Sequence, residues 1–244
     1  MVRRLFLPQR ILGPLSCRLK MKNLFHSRYS FWKKSVVQPR TPDNAGSKTL
    51  SSLRYPTFPT KIIKDFIDGI SKKTDPVVLD IGAVTGSNIE YFLNFGIKVY
   101  MEDVLAAYAK PQYSVLIDDK LTFDAEKFFA ENLRYMDGHF DGLICWDILD
   151  YLDAKFARNF VAQISAKMKP GSLVLGFFHT HKVAGSTKYR LINESTLEHV
   201  PLERRMEPKK IYPSREINQL FPGYQSQKFY LLKHNLLEVM LRKS

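Results

Sequence analysis

The sequence predicts an α/β fold built around a mainly parallel sheet. Three observations predict it. Val77-Val78-Leu79, Gly142 to Cys145 and Ser172 to Phe178 are short, largely apolar runs without polar alternation, as in strands buried on both faces. Stretches with apolar residues at helical spacing separate them. The segment Val77 to Asp103, VVLDIGAVTGSNIEYFLNFGIKVYMED, reads as strand, small-residue turn, helix, strand and acid. Such a unit can hold a nucleotide-like ligand. Its turn lets backbone approach the ligand, and an acid after the second strand accepts hydrogen bonds from ribose hydroxyls.

In chain order, residues 1–42 hold ten Lys or Arg and no Asp or Glu. They read as a basic, poorly ordered segment, with Phe31 and Trp32 able to dock on the domain. A mitochondrial transit peptide, an arm for RNA or anionic lipid, and an extension upstream of a start at Met21 are the other readings. Residues 43–59 are rich in Pro and turn formers and read as a linker or lid. The main domain runs over residues 60–244. Thr60 to Lys73 is predicted helical, with Ile62, Ile63, Phe66, Ile67 and Ile70 on one stripe. The motif strand follows Asp75-Pro76 and ends in Asp80. Gly82, Ala83, Thr85, Gly86 and Ser87 form the turn, Ser87 to about Asn94 the helix, and Gly96 its stop. Lys98 to Met101 is the second strand and delivers Glu102 and Asp103.

Residues 104–109 read as helix, Tyr113 to Ile117 as a strand, and Asp124 to Leu133 as a helix. Phe140 to Leu152, FDGLICWDILDYL, places Trp146 and Asp147 at the end of a buried strand, where open α/β sheets bind ligands. Asp147 suits orienting a substrate amine or hydroxyl, and equally a helix cap. Trp146 suits packing on a ligand, and equally the core. Asp153 to Lys169 is an amphipathic helix stopped by Lys169-Pro170-Gly171, and a strand to Phe178 follows. His179 and His181 read as a loop, and no metal site is predicted, since no Cys, Asp or Glu lies close in sequence to complete one. Residues 188–200 alternate like an inserted hairpin over the strand ends, with Tyr189, Arg190 and His199 as candidate substrate contacts. Pro213-Ser214 opens a helix with Ser214 as its cap. Gln227 to Leu232 and Leu236 to Leu241 are the last strands, joined by Lys233-His234-Asn235.

The turn resembles motif I of class I S-adenosylmethionine-dependent methyltransferases. Asp80, Gly82 and Gly86 match it without gaps, Asp103 falls on the ribose acid, and Val84 replaces the middle glycine. Phe140 to Asp147 resembles motif IV, and Met168 to Gly171 the turn before strand five. Together with Cys-Trp-Asp-x-x-Asp-Tyr-Leu and Gly-Phe-Phe, the pattern is similar to a bacterial branch of methyltransferase-domain proteins, over about residues 60–243. The resemblance implies a Rossmann-like three-layer α/β/α sandwich. Its seven-stranded sheet would be mostly parallel, with an antiparallel last strand. It implies S-adenosylmethionine as cofactor and an unidentified methyl acceptor. Gly82, Ala83 and Gly86 would bring backbone to the methionine part, with Asp80 at the strand end and Asn88 as a further polar contact. Asp103 would hold the ribose, with Glu102 as its alternate, and Trp146 and Asp147 would face cofactor and acceptor. The adenine contact is not assigned: Phe129 falls where the family has an acid.

Composition bounds the alternatives. A Walker A loop is excluded, since no Gly-Lys-Ser/Thr follows the strand, and the glycine spacing is poorer for a dinucleotide. Two cysteines, Cys17 and Cys145, fit a reducing compartment and predict a cytoplasmic protein, or a mitochondrial one if residues 1–42 are a transit peptide. No run of about 18 apolar residues predicts a membrane span. Of the net charge of +13, only +3 falls on residues 43–244, so nucleic acid is not indicated for the folded domain. The rival functions are a methyltransferase-like domain that binds a partner without catalysis, and an RNA- or membrane-associated protein working through its basic arm.

Overall fold

The computed structural model describes residues 55–232 and 235–244. The basic segment 1–42, the first part of the expected linker, and Lys233-His234 lie outside the described residues.

Strand β1 (Thr57–Pro59) precedes helix α1 (Ile63–Ser71) and strand β2 (Val77–Asp80). Helix α2 (Gly86–Leu93), strand β3 (Lys98–Met101) and helix α3 (Val104–Tyr108) follow. Next come strands β4 (Ser114–Ile117) and β5 (Lys120–Phe123), helix α4 (Ala125–Asn132) and strand β6 (Phe140–Trp146). A 3₁₀ turn (Ile148–Tyr151) leads to helix α5 (Ala154–Lys167) and strand β7 (Met168–His179). Strands β8 (Thr187–Asn193) and β9 (Thr196–Pro201), helix α6 (Ser214–Leu220), and strands β10 (Tyr224–Leu231) and β11 (Leu236–Lys243) complete the order.

The central sheet has the order β10-β11-β7-β6-β2-β3. Pairs β7-β6, β6-β2 and β2-β3 are parallel, and β11 pairs antiparallel with β7 and β10. Helices lie on both faces, making an α/β sandwich. Every residue of β2 and β6 is buried, which is why their sequences lack alternation. Gly142 of β6 lets α1 approach: a Cβ there would come within 2.8 Å of Phe66 and 2.9 Å of Ile70.

Among the described residues the sheet has six strands, where the resemblance implies seven. Ser114–Ile117 does not add to the edge at β3 but folds back on β5 in a separate hairpin. Asp118 and Asp119 take left-handed backbone, with φ of 48° and 57°, the geometry of a two-residue hairpin turn. Phe123 of β5 then packs against Phe128 and Phe156, with ring centroids 5.6 and 4.8 Å away. This aromatic cluster anchors the hairpin to α4 and α5.

Three smaller expectations change. Helix α5 ends at Lys167, and Met168-Lys169-Pro170 already belong to β7. Helix α6 begins at Ser214 itself, with Pro213 in the cap position and no side-chain cap. Residues 57–59, read as linker, form β1, which joins the expected hairpin β8-β9 in a three-stranded sheet of order β1-β9-β8.

Candidate active site

Asp80, Trp146 and His179 end three adjacent parallel strands, and Glu102 and Asp103 follow a fourth. Trp146 has left-handed backbone, φ 46°, where the β6-β7 register slips. This bulge swings its indole back over the glycine turn. A Cβ on Gly82 would lie 2.4 Å from Cδ1 of Trp146, so only glycine fits there. Asp80 Oδ1 accepts hydrogen bonds from the Gly82 N–H and the Trp146 Nε1–H, both at 2.8 Å. Asp80 Oδ2 is buried without a hydrogen-bond partner. Burial pushes this carboxyl up to about 7, against the pull of those two hydrogen bonds and with help from the charge of Asp103.

The two acids after β3 diverge. Glu102 accepts a hydrogen bond from the Tyr135 hydroxyl. Asp103 caps α3, its Oδ1 accepting from the Ala106 N–H at 2.9 Å. It also borders an open groove of about 500 Å³, lined by Leu105, Ala106, Lys188, Leu202 and Arg204 among others. Beside the turn, Gly82, Ala83, Asp103, Trp146 and Tyr189 border a cavity of only about 10 Å³. That is room for about one water. Trp146 and Tyr189 narrow it: their rings stack at 5.3 Å with planes 9° apart. Val84 borders neither space and is 47% exposed. The side chain that replaces the middle glycine therefore points outward.

Hairpin β8-β9 closes over the turn. The Asn88 side chain donates to the Tyr189 carbonyl at 2.9 Å and accepts from the Leu191 N–H at 2.8 Å. Asn88 thus holds the hairpin in this conformation. The Tyr189 hydroxyl donates to Asp147 Oδ2 at 2.9 Å.

Asp147 precedes the 3₁₀ turn, but its side chain caps nothing. Its Oδ1 is buried and unpartnered. Burial and the charge of Asp150 push its carboxyl up to about 7, opposed by His179 and the Tyr189 hydrogen bond. His179 was read as a loop residue from the sequence. It is instead the last residue of β7 and buried. Its Nδ1 lies 3.0 Å from Asp150 Oδ2, and its Nε2 3.8 Å from Asp147 Oδ2. Asp150 Oδ2 also accepts the His179 backbone N–H at 2.7 Å. Burial disfavours the imidazolium, but both carboxylates outweigh it and raise the His179 pKa. Burial likewise raises Asp150. Sequence reasoning missed this partnership because Asp150 and His179 lie 29 residues apart. The acid three residues after Asp147 was its one visible signal. His181 is exposed.

A family model described as "Methyltransferase domain" matches residues 55–226, more than half of the chain. The chain belongs to this family. It is a methyltransferase that uses S-adenosylmethionine as methyl donor, and its acceptor is unidentified. No curated protein matches the sequence significantly. Among solved structures, it is similar to a 1,6-didemethyltoxoflavin-N1-methyltransferase from Burkholderia thailandensis, which has 1,6-didemethyltoxoflavin and S-adenosylhomocysteine bound. Identity is 14% over 96% of this chain and 93% of that one, with a TM-score of 0.43. A methyltransferase from Aquifex aeolicus is similar at 14% identity over 75% of this chain and 88% of that one, TM-score 0.44. Another from Archaeoglobus fulgidus shows 12% identity over 74% and 91%, TM-score 0.43.

The methyltransferase's residues suit this cofactor chemically. Asp103 has a carboxylate that borders the groove, and Asp80 keeps an unpartnered buried Oδ2 beside the glycine turn; carboxylates are groups that suit ribose hydroxyls and an ammonium. The groove at Asp103 has room for a nucleoside. At the turn itself, Trp146 and Tyr189 fill the space, so any ligand entering there needs that stack to shift.

Proposed function

We propose that the cofactor lies across the C-terminal ends of β2, β3 and β6. Asp103 holds the ribose hydroxyls, and Gly82, Ala83 and Gly86 bring backbone to the methionine part. Asp80 receives its ammonium group through Oδ2. The observation that carries this reading is the position of Asp103 on the groove, at the end of the strand beside the one that ends in Asp80 with its orphaned Oδ2. Glu102, engaged by Tyr135, is the weaker ribose candidate. Asn88 reaches the cofactor only when the hairpin releases its amide.

S-adenosylmethionine supplies a methyl group on a cationic sulfur, so the protein's work is placement and exclusion of water. Trp146 packs against cofactor or acceptor, and Asp147 orients an acceptor amine or hydroxyl. We place the catalytic domain at residues 57–244, since β1 pairs with β9, after a linker over 43–56 and a basic segment over 1–42. The free, buried Cys145 supports a reducing compartment, the cytoplasm. No helix among the described residues is long and apolar enough to cross a membrane.

Calorimetric titration of the full chain with S-adenosylmethionine, with NAD as control, tests the reading. Micromolar binding is expected, weakened at least about tenfold by Asp103→Ala, or roughly 1.4 kcal/mol. Unchanged affinity in Asp103→Ala would sink the ribose assignment.

A further inference from the structure

Tyr189 sits in the site as a ligand would. Its ring lies flat on Trp146, and Phe177 and His199 meet it edge-on, with centroids 5.1 and 4.7 Å away. Its hydroxyl donates to the buried Asp147 carboxylate. An aromatic face, two aromatic edges and a hydrogen-bond acceptor at one end define a site for a phenol. The acceptor end has more capacity than Tyr189 uses. One oxygen each of Asp147 and Asp150 is buried without a partner, and the His179 imidazole bridges these two side chains. Such a cluster is more than the hydroxyls of Tyr189 and Tyr151, 2.9 and 3.5 Å from Asp147 Oδ2, need, and buried carboxylates are costly unless they serve a purpose.

We propose that the methyl acceptor is a hydroxylated aromatic ring that takes the place of the Tyr189 ring on Trp146. Its hydroxyl binds Asp147, and Asp147 with His179 and Asp150 takes up the proton. The proposal rests on the methyltransferase reading of this same site. The acceptor oxygen gains a bond to the methyl carbon, and the carbon–sulfur bond breaks with its electron pair remaining on sulfur. The acceptor's O–H bond breaks, and its proton passes to Asp147 Oδ2. His179, 3.8 Å away and held by Asp150, stabilises the ionised Asp147 and is a positioning residue. A general base of this kind contributes roughly 10²- to 10⁴-fold. Admission of the ring requires hairpin β8-β9 to lift, which breaks the hydrogen bond that Asn88 donates to Tyr189 and the one it accepts from Leu191.

The test uses the full chain and three readings. Calorimetry with S-adenosylmethionine first establishes cofactor binding on its own. Methyl transfer is then assayed with 4-methylphenol, 4-nitrophenol, aniline and benzyl alcohol. The expected products are the two aryl methyl ethers, with no methylated aniline or benzyl alcohol. Asp147→Asn should slow transfer to 4-methylphenol at least a hundredfold. It should slow transfer to 4-nitrophenol, already ionised at mildly alkaline pH, less than tenfold. His179→Gln should show the same contrast more weakly, with KM unchanged. A residue that only supports the fold would lower both rates alike, and the surviving nitrophenol activity certifies a folded variant. Without turnover, 4-methylphenol should speed hydrogen exchange of the Leu191 amide. Cofactor binding with transfer only to aniline, or with neither transfer nor faster exchange on adding phenols, would overturn the acceptor class and leave the cofactor reading standing. Absence of cofactor binding would take down both.

Discussion

The two ends of one parallel sheet treat their buried acids in opposite ways. At the amino end, Asp141 is the second residue of β6. Its carboxylate accepts the Val77 N–H at 3.1 Å and Lys169 Nζ at 2.7 Å, with Lys73 Nζ 3.5 Å away. At the carboxyl end, Asp80, Asp147 and Asp150 are also buried, yet none of them pairs with Lys or Arg among the described residues, and each has one unpartnered oxygen. Asp141 joins the starts of β2, β6 and β7, which is a structural task. The other three leave binding capacity unused, which is what a site for a cationic cofactor and a protic acceptor requires.

The largest expected effect concerns Asp80. Its folded pKa, about 7, lies above the ordinary 3.8. The folded state therefore binds the proton more tightly than the unfolded chain. The resulting stability is fully present below the unfolded pKa and lost as pH rises through about 7. Its size is up to roughly 4 kcal/mol. Urea unfolding of Asp80→Asn between about pH 4 and about pH 8 should show a flatter profile than the wild type. An equally steep fall in both would contradict this account of Asp80.

Next in size is Asp147→Asn, expected to lower methyl transfer at least about a hundredfold, or roughly 2.7 kcal/mol of transition-state stabilisation, without loss of the fold. Asp141→Ala should do the reverse. Its lysine partners are partly exposed and screened, so we expect a loss of about 2 kcal/mol of stability with turnover per folded molecule unchanged. A thermal melt beside an activity assay of both variants decides whether the two ends are as distinct as their partners indicate. The smallest effect should come from Asn88→Ala. It removes two hydrogen bonds to the hairpin at about 1 kcal/mol, seen as roughly fivefold faster exchange of the Leu191 amide.

Much of the parallel core was legible because its strands are buried on both faces and their sequences say so. Val77 to Asp80, the turn at Gly82 and the strand to Met101 each follow from local pattern. The displaced strand was legible only in part. Tyr113 to Ile117 reads as a strand wherever it lies. Its partner was decided by Asp118 and Asp119, which tolerate left-handed backbone, and by Phe123 joining a distant aromatic cluster. The resemblance ranked Asp103 ahead of Glu102, but their separate surroundings, Tyr135 for Glu102 and the groove for Asp103, lie outside local pattern. The union of His179 with Asp150, and of Tyr189 with Trp146 and Asp147, depends on strand order and on a bulge. No local pattern carries that information.

Hydrogen-exchange mass spectrometry of the full chain, with and without S-adenosylhomocysteine, tests the functional asymmetry of the sheet most directly. Protection is expected at Gly82–Ala83 and Asp103–Leu105, with no change around Asp141 and Lys169. Protection centred on Asp141 and Lys169, with the Asp103 groove unaffected, would contradict it.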